Sequence, residues 1–216
     1  MTDDESGVVV ADWAALLSRR LDPVAASWRG PRPSSAAVLV LLSDQADPDL
    51  VLTVRSDDVS HHAGQVSFPG GRREPGDQSP TATALRETCE EIGLAAGRVT
   101  PLGQLSTVAV PVSANLVIPV VGLWSGSEAI SVQDAHEVAA VMRCSLKDLT
   151  DPAHRVMARH PDGDLGPAWR LGELFVWGLT GHMIDTLLRV AGWERNWDRD
   201  QVVEVPPRFS RRRHDG

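Results

Sequence analysis

Gly64-Gln65-Val66-Ser67-Phe68-Pro69-Gly70-Gly71, followed after a charged turn by Arg86-Glu87-Thr88-Cys89-Glu90-Glu91-Ile92-Gly93-Leu94, is the stretch on which the rest of the chain turns. Two glycines close a strand-like run. Ser79-Pro80 then puts a capping hydroxyl just before a proline at the first helical position, and Gly93 supplies a helix stop. The stretch reads as strand, loop and helix.

At about 100° per residue, Ala82, Leu85, Cys89 and Ile92 fall on one side of that helix. Glu87, Glu90 and Glu91 fall on the opposite side. The spacing predicts an apolar docking face and a face with carboxylates at i, i+3 and i+4. Like charges so placed repel. A solvated acidic face is one account of them. The other is a hard divalent cation, since Mg²⁺ takes oxygen ligands and bridges carboxylates to substrate phosphates.

The segment resembles the Nudix box, a strand-loop-helix hydrolase signature ending in R-E-aliphatic-x-E-E-x-G-aliphatic. Arg86, Glu87, Glu90, Glu91, Gly93 and Leu94 match it in place, and Gly70 or Gly71 meets its opening glycine with a slightly different loop length. Thr88 stands where an aliphatic residue is usual. Gln78 replaces an upstream Glu of the box, with Asp77 beside it. A second stretch, Leu52-Thr53-Val54-Arg55-Ser56, then Gly64, then Phe68-Pro69-Gly70-Gly71, resembles the signature of the coenzyme A pyrophosphatase branch, which also tends to carry an Asp at the place of Asp77. Val51 replaces a Leu of that signature and Ser60 an Arg. Pro119-Val120-Val121-Gly122, Glu137-Val138 and Trp177-Gly178-Leu179-Thr180 are further matches, so the resemblance spans residues 36–190.

The resemblance implies an α/β (α+β) fold, a Nudix-type α/β/α sandwich with a mixed sheet between helices. It implies Mg²⁺ or Mn²⁺ on Glu87, Glu90 and Glu91, holding a substrate diphosphate and acidifying an attacking water. Arg86 is placed to pair with Glu90 at i+4 while adding positive field near the phosphates, though a structural ion pair is the other reading. Glu137, in a later acidic loop, is a further ligand or the base, or a plain surface acid. Arg55 is the candidate phosphate contact. Gly70 and Gly71 let backbone approach substrate, or simply turn the chain. The branch implies coenzyme A or acyl-CoA as substrate, giving 3′,5′-ADP and a 4′-phosphopantetheine product. Two alternatives stay open: a Nudix hydrolase acting on NADH, ADP-ribose or another nucleotide, and a non-catalytic Nudix-fold binding module. The second predicts a damaged acid set, whereas Glu87, Glu90 and Glu91 are all present.

The rest of the chain is ordinary globular sequence, 42% apolar and 23% charged over 216 residues, with a net charge of −8. That charge argues against nucleic-acid or acidic-membrane partners; the resemblance implies a small nucleotide as ligand, with a homodimer open as the assembly. Two cysteines, Cys89 and Cys144, make no disulfide framework and are expected as reduced, buried thiols in a cytoplasmic protein. No apolar run reaches membrane-spanning length, and the acidic start is unlike a secretory leader.

Residues 1–35 read as an amphipathic helix (Trp13, Leu16, Leu17, Leu21) and a linker at Gly30-Pro31-Arg32-Pro33. Residues 36–192 read as the hydrolase domain, and 193–216 as a C-terminal tail with Arg208, Arg211, Arg212 and Arg213. Strands are expected at 36–42, 50–54, 64–68, 99–108 and 115–124, with short ones at 130–132 and 137–142 and a helical turn at 145–149. Pro161-Asp162-Gly163-Asp164 predicts a hairpin between 156–159 and 168–171. A last helix from Thr180 carries an apolar stripe of Met183, Ile184, Leu187, Leu188 and Ala191 and stops at Gly192. His61-His62 read as structural or substrate-contacting residues rather than metal ligands.

Overall fold

A computed structural model describes residues 13–28, 35–56, 64–110 and 115–210. Gly30-Pro31-Arg32-Pro33, Ser60, His61, His62, the loop at Pro111-Val112-Ser113 and Arg211 to Arg213, all singled out above, lie outside the described residues.

Residues 13–18 form α1. The first sheet takes β1 (Ser35–Ser43), β2 (Asp49–Arg55), β3 (Val66–Ser67), β4 (Gly70–Arg72), then, after α2 (Pro80–Ile92), β5 (Val99–Gln104), β6 (Val108–Val110), β7 (Asn115–Trp124) and β8 (Val138–Ser145). The chain continues through α3 (Leu146–Thr150) into a second sheet of β9 (Arg155–Arg159), β10 (Leu165–Leu171) and β11 (Leu174–Val176). It closes with α4 (Gly178–Ala191), β12 (Val202–Glu204) and α5 (Pro207–Ser210).

The continuous apolar run of β1 is explained by its place. It pairs in parallel with β7 along its whole length, from Ser35↔Leu116 to Ser43↔Trp124, and is covered on both faces. Ala37, Leu39 and Leu41 join Ala84 and Ile92 of α2 on one side. Val40 and Leu42 join Leu17 of α1 and Met183, Ile184, Leu187 and Leu188 of α4 on the other. This is the expected α/β/α sandwich around a mixed sheet, and the stripe of the last helix is core.

One edge of β1 is shared. Its first half pairs with β4 (Ala36↔Arg72 to Val38↔Gly70), while β2 touches it only at Leu42↔Leu50. β2 then diverges from β1, and the edge it frees pairs with β3 (Thr53↔Ser67 and Val54↔Val66), while its other edge pairs with β8 along its length, from Asp49↔Ser145 to Arg55↔Val138. The β8 pairing sets Arg55, at the end of β2, beside the loop that leads into β8. Ser56 N donates to the Glu137 carbonyl at 2.9 Å.

Three expectations change. Residues 130–132 form no strand: Ser131 N and Gln133 N donate to the carbonyls of Ile92 and Glu91, so the segment ties off the end of α2 instead of joining a ladder. The strand expected at 99–108 breaks after Gln104, past a register shift between Pro101 and Gly103. Packed structure also continues beyond residue 192. β12 pairs in parallel with β9, and Val205 and Phe209 are buried with Val156, Ala158, Ala168 and Phe175. A three-residue strand between acidic and proline neighbours is too short to show a period. The predicted hairpin is present, as β9 and β10. Among the described residues no helix is long and apolar enough to cross a membrane.

Candidate active site on the glycine strand

The helix α2 starts and stops where its sequence says. Ser79 Oγ accepts from Ala82 N at 3.1 Å, and Gly93 takes φ 77° while its N–H closes on the Cys89 carbonyl. Its buried side differs from the one expected. Ala84, Thr88, Glu91 and Ile92 face inward, while Cys89 is exposed. The reason lies in β4. Gly70 and Gly71 offer no side chains, so α2 lies over them with Glu87 and Glu91 turned toward the strand. The buried Thr88 hydroxyl donates to the Ala84 carbonyl at 2.7 Å, which satisfies it inside the helix. Cys89→Ser is therefore expected to move thermal stability by no more than about 0.5 kcal/mol, as an exposed substitution does. Thermal unfolding checks it, and a clear loss would place the thiol in the core after all. Cys144 is the buried thiol, and burial pushes its pKa up to about 11.

Glu91 is only 3% exposed. Its Oε2 accepts from Gly70 N at 3.0 Å. A Cβ on Gly71 would lie 2.5 Å from the carboxyl carbon and Oε1 of Glu87, and one on Gly70 would meet Ala37 O and Val38 Cα at 2.5 Å. Gly70 thus serves the sheet, and Gly71 serves the acid. Gly71→Ala is expected to displace the Glu87 carboxylate and lower any hydrolysis by about tenfold with the fold kept, since small misplacements at a reacting centre are costly. Paired circular dichroism and rate measurements test this; full activity in a folded variant would free Glu87 from its assigned position.

Arg86 organises the other acids. Its Nη1 donates to Glu90 Oε2 at 2.8 Å, the expected i+4 pair, and its Nη2 to Glu87 Oε1 at 3.0 Å and the Arg72 carbonyl at 3.0 Å. Its Nε and Nη2 also clasp both oxygens of Asp77, at 3.2 and 3.0 Å. Asp77 Oδ2 accepts in addition from Glu74 N and from Thr83 Oγ1. Burial works against the Asp77 charge, but these bonds outweigh it and hold the carboxyl below its ordinary pKa. The Asp77 bond in turn raises the Arg86 pKa, so the guanidinium stays charged. The sequence marks Asp77 as a neighbour of Gln78 and as the loop acid of the branch signature, with no partner. In the structure it is the anchor of Arg86, while Gln78 is exposed.

Burial raises the Glu87 pKa; Arg86 opposes the rise, and Glu90 and Glu137 add to it. Burial pushes Glu91 up to about 8 against the Gly70 N–H and Arg55, with Glu87 and Glu137 adding repulsion. So Glu87, Glu91, Glu137 and Arg55 share one electrostatic neighbourhood, and Glu90 stands at its rim with a half-exposed side chain. Arg55 Nε is buried and has no hydrogen-bond partner among the described residues. Among the described residues no three acidic, thiol or imidazole groups stand ready as an ion cage; Arg86 holds Glu87 and Glu90, and Gly70 holds Glu91. The donors are all carboxylate oxygens, and Arg86, Arg55 and the Gly70 N–H offset only part of their repulsion, since Glu87 and Glu91 both stay above their ordinary pKa, which fits a hard divalent cation.

A glutamate-bearing helix over a glycine strand, on an α/β/α scaffold, defines a site of the Nudix type. The sequence matches the NUDIX domain over residues 31–162. It is 37% identical over 153 residues to an uncharacterized Nudix hydrolase, NudL, of Yersinia pestis (strain Pestoides F), covering 69% of this chain and 75% of that one. The figures are the same for NudL of Yersinia pseudotuberculosis serotype O:1b (strain IP 31758). Among solved structures, the Nudix hydrolase RenU from M. smegmatis has a TM-score of 0.52 at 17% identity, covering 82% of this chain and 99% of that chain. A NUDIX hydrolase from Nitrosomonas europaea has a TM-score of 0.50 at 11% identity, covering 82% of each. The chain belongs to the Nudix hydrolase family, whose members act on nucleoside diphosphate derivatives and generally use divalent metal ions.

Proposed function

We propose that the protein hydrolyses the diphosphate bond of coenzyme A or an acyl-CoA, releasing 3′,5′-ADP and a 4′-phosphopantetheine product. The observation that carries hydrolysis is the intact acid set of Glu87, Glu90 and Glu91 next to Arg55, whose buried Nε lacks a partner among the described residues. A buried donor of this kind is costly unless something accepts from it, and a substrate phosphate would. The choice of coenzyme A rests on the sequence stretch from Leu52 to Gly71.

Glu87, Glu90 and Glu91 would hold Mg²⁺ or Mn²⁺, which when bound supplies positive charge for the diphosphate and makes water a better nucleophile. Arg86 fixes the rotamers of Glu87 and Glu90. Arg55 donates to a phosphate oxygen. Gly70 and Gly71 keep the strand low enough for close approach. Glu137 is exposed at the mouth of the site, where it accepts the proton of the attacking water.

Treatment with a chelator is expected to abolish turnover, and Mg²⁺ or Mn²⁺ to restore it. Full turnover of metal-free protein would overturn the assignment of the acids. Substrate is tested by product analysis in oxygen-18 water with coenzyme A, NADH and ADP-ribose in parallel. Coenzyme A left intact while another diphosphate is cleaved would replace the substrate and leave the reaction. No cleavage of any diphosphate, with nucleotide still bound, would favour a binding module.

A further inference from the structure

Away from the acids, two imidazoles converge on one glycine. Gly166, in β10, pairs with Ala158 of β9. A Cβ at Gly166 would lie 2.9 Å from His160 Nε2 and 3.0 Å from His182 Nε2. A side chain there would collide with two ring nitrogens, so the missing Cβ is what lets both imidazoles close in on the same point of the strand. His160 Nε2 is buried and has no hydrogen-bond partner among the described residues.

Both rings are placed by backbone. His160 N donates to the Asp164 carbonyl and Gly163 N to the His160 carbonyl, so the hairpin turn holds the first. The second sits in the opening turn of α4, which comes close to β10 because Gly181 lies against the Pro167 carbonyl. The ring centroids are 6.3 Å apart, and the Trp177 ring meets His160 edge-on at 5.1 Å. Asp162 and Asp164, on the hairpin turn, add negative potential at His160. Burial lowers the His160 pKa, which keeps the ring neutral, the form that ligates metals.

We propose that His160 and His182 form a site for a borderline transition-metal cation such as Zn²⁺, with water in the remaining positions. Imidazole nitrogen suits Zn²⁺, Ni²⁺ and Cu²⁺, whereas Mg²⁺ prefers the carboxylates across the molecule. Bound there, the ion clips the β9–β10 hairpin to the start of α4. Thr180 in that same turn donates to the Val66 carbonyl at 2.9 Å, so the clip also bears on the segment leading to the glycine strand.

The test is a Zn²⁺ titration by calorimetry on the chelator-treated full chain with Mg²⁺ in excess, for wild type, His182→Gln, His160→Gln and Glu90→Gln. One equivalent should bind in wild type and in Glu90→Gln and raise the melting temperature. Both histidine variants should lose at least about tenfold in affinity, the scale of a disturbed metal ligand set. His182 is exposed, so its variant is expected to fold even where His160→Gln does not. Mg²⁺-dependent hydrolysis should be unchanged in His182→Gln. Equal Zn²⁺ affinity in wild type and His182→Gln, loss of binding only in Glu90→Gln, or no binding in wild type would each overturn the site.

Discussion

Glu91→Gln is expected to lower kcat/KM by about two orders of magnitude or more, while the metal-free protein keeps or gains thermal stability. The first half follows from removing one strong electrostatic stabiliser from a charge-handling site. The second follows from burial. At 3% exposure the side chain has left water, and burial with the Glu87 and Glu137 charges raises its pKa to about 8, so near neutral pH folding must take up a proton there. Gln keeps the shape and an oxygen for the Gly70 N–H and needs no proton to be neutral. Glu90→Gln makes the control. Its side chain is 58% exposed and bonded to Arg86, so it should lose activity with little change in stability. The measurement pairs steady-state kinetics in Mg²⁺ with thermal unfolding in chelator. A Glu91→Gln protein that unfolds early would mean the charge helps hold α2 on β4; one that keeps its rate would remove Glu91 from the chemistry.

That contrast between two adjacent glutamates also marks how far the sequence could be read. Ser79, Pro80 and Gly93 bound α2 correctly because capping is local chemistry. The turn at Pro161 to Asp164, the apolar run of β1 and the stripe of α4 were legible for the same reason. A helical wheel could group Glu87, Glu90 and Glu91 against Cys89, but it could not say how the helix rolls on its neighbour. That depended on β4 being two glycines, which admits carboxylates where apolar side chains would otherwise pack. Asp77 was visible yet without a role, since its partner Arg86 stands nine residues on across the turn. Arg55 and Glu137 are far apart in sequence and meet because β2 pairs with β8 up to Arg55↔Val138.

Arg155 left no sign in the sequence at all, and its replacement by Ala is expected to be strongly destabilising. The side chain is 1% exposed. Its guanidinium lies 4.9 Å from the Trp169 ring centre and 4.3 Å from that of Trp197. It pairs with Asp185 of α4 and, at 3.5 Å, with Glu194. One cation therefore joins the second sheet, the last long helix and the segment beyond residue 192. Burial lowers its pKa while Asp185 and Glu194 oppose that, the signature of a charge kept indoors by its partners. Truncation empties the space between the Trp169 and Trp197 rings and takes from Asp185 and Glu194 their buried partner, leaving them only the exposed Arg189 and Arg199, and breaking a buried pair costs about 3–5 kcal/mol. For a domain of this size that is a fall in melting temperature of roughly 10 °C. Arg155→Lys should fall part of the way, because an ammonium cannot hold two partners and two rings with one planar fork. Arg155→Met with Asp185→Asn should recover part of the Ala loss, since Met refills the space between the rings and Asn removes the acid that has lost its buried partner. Calorimetry on the four proteins decides. A melting point within about 2 °C of wild type for Arg155→Ala would mean that packing alone holds the C-terminal segment to the sheet, and that the buried arginine is incidental to it.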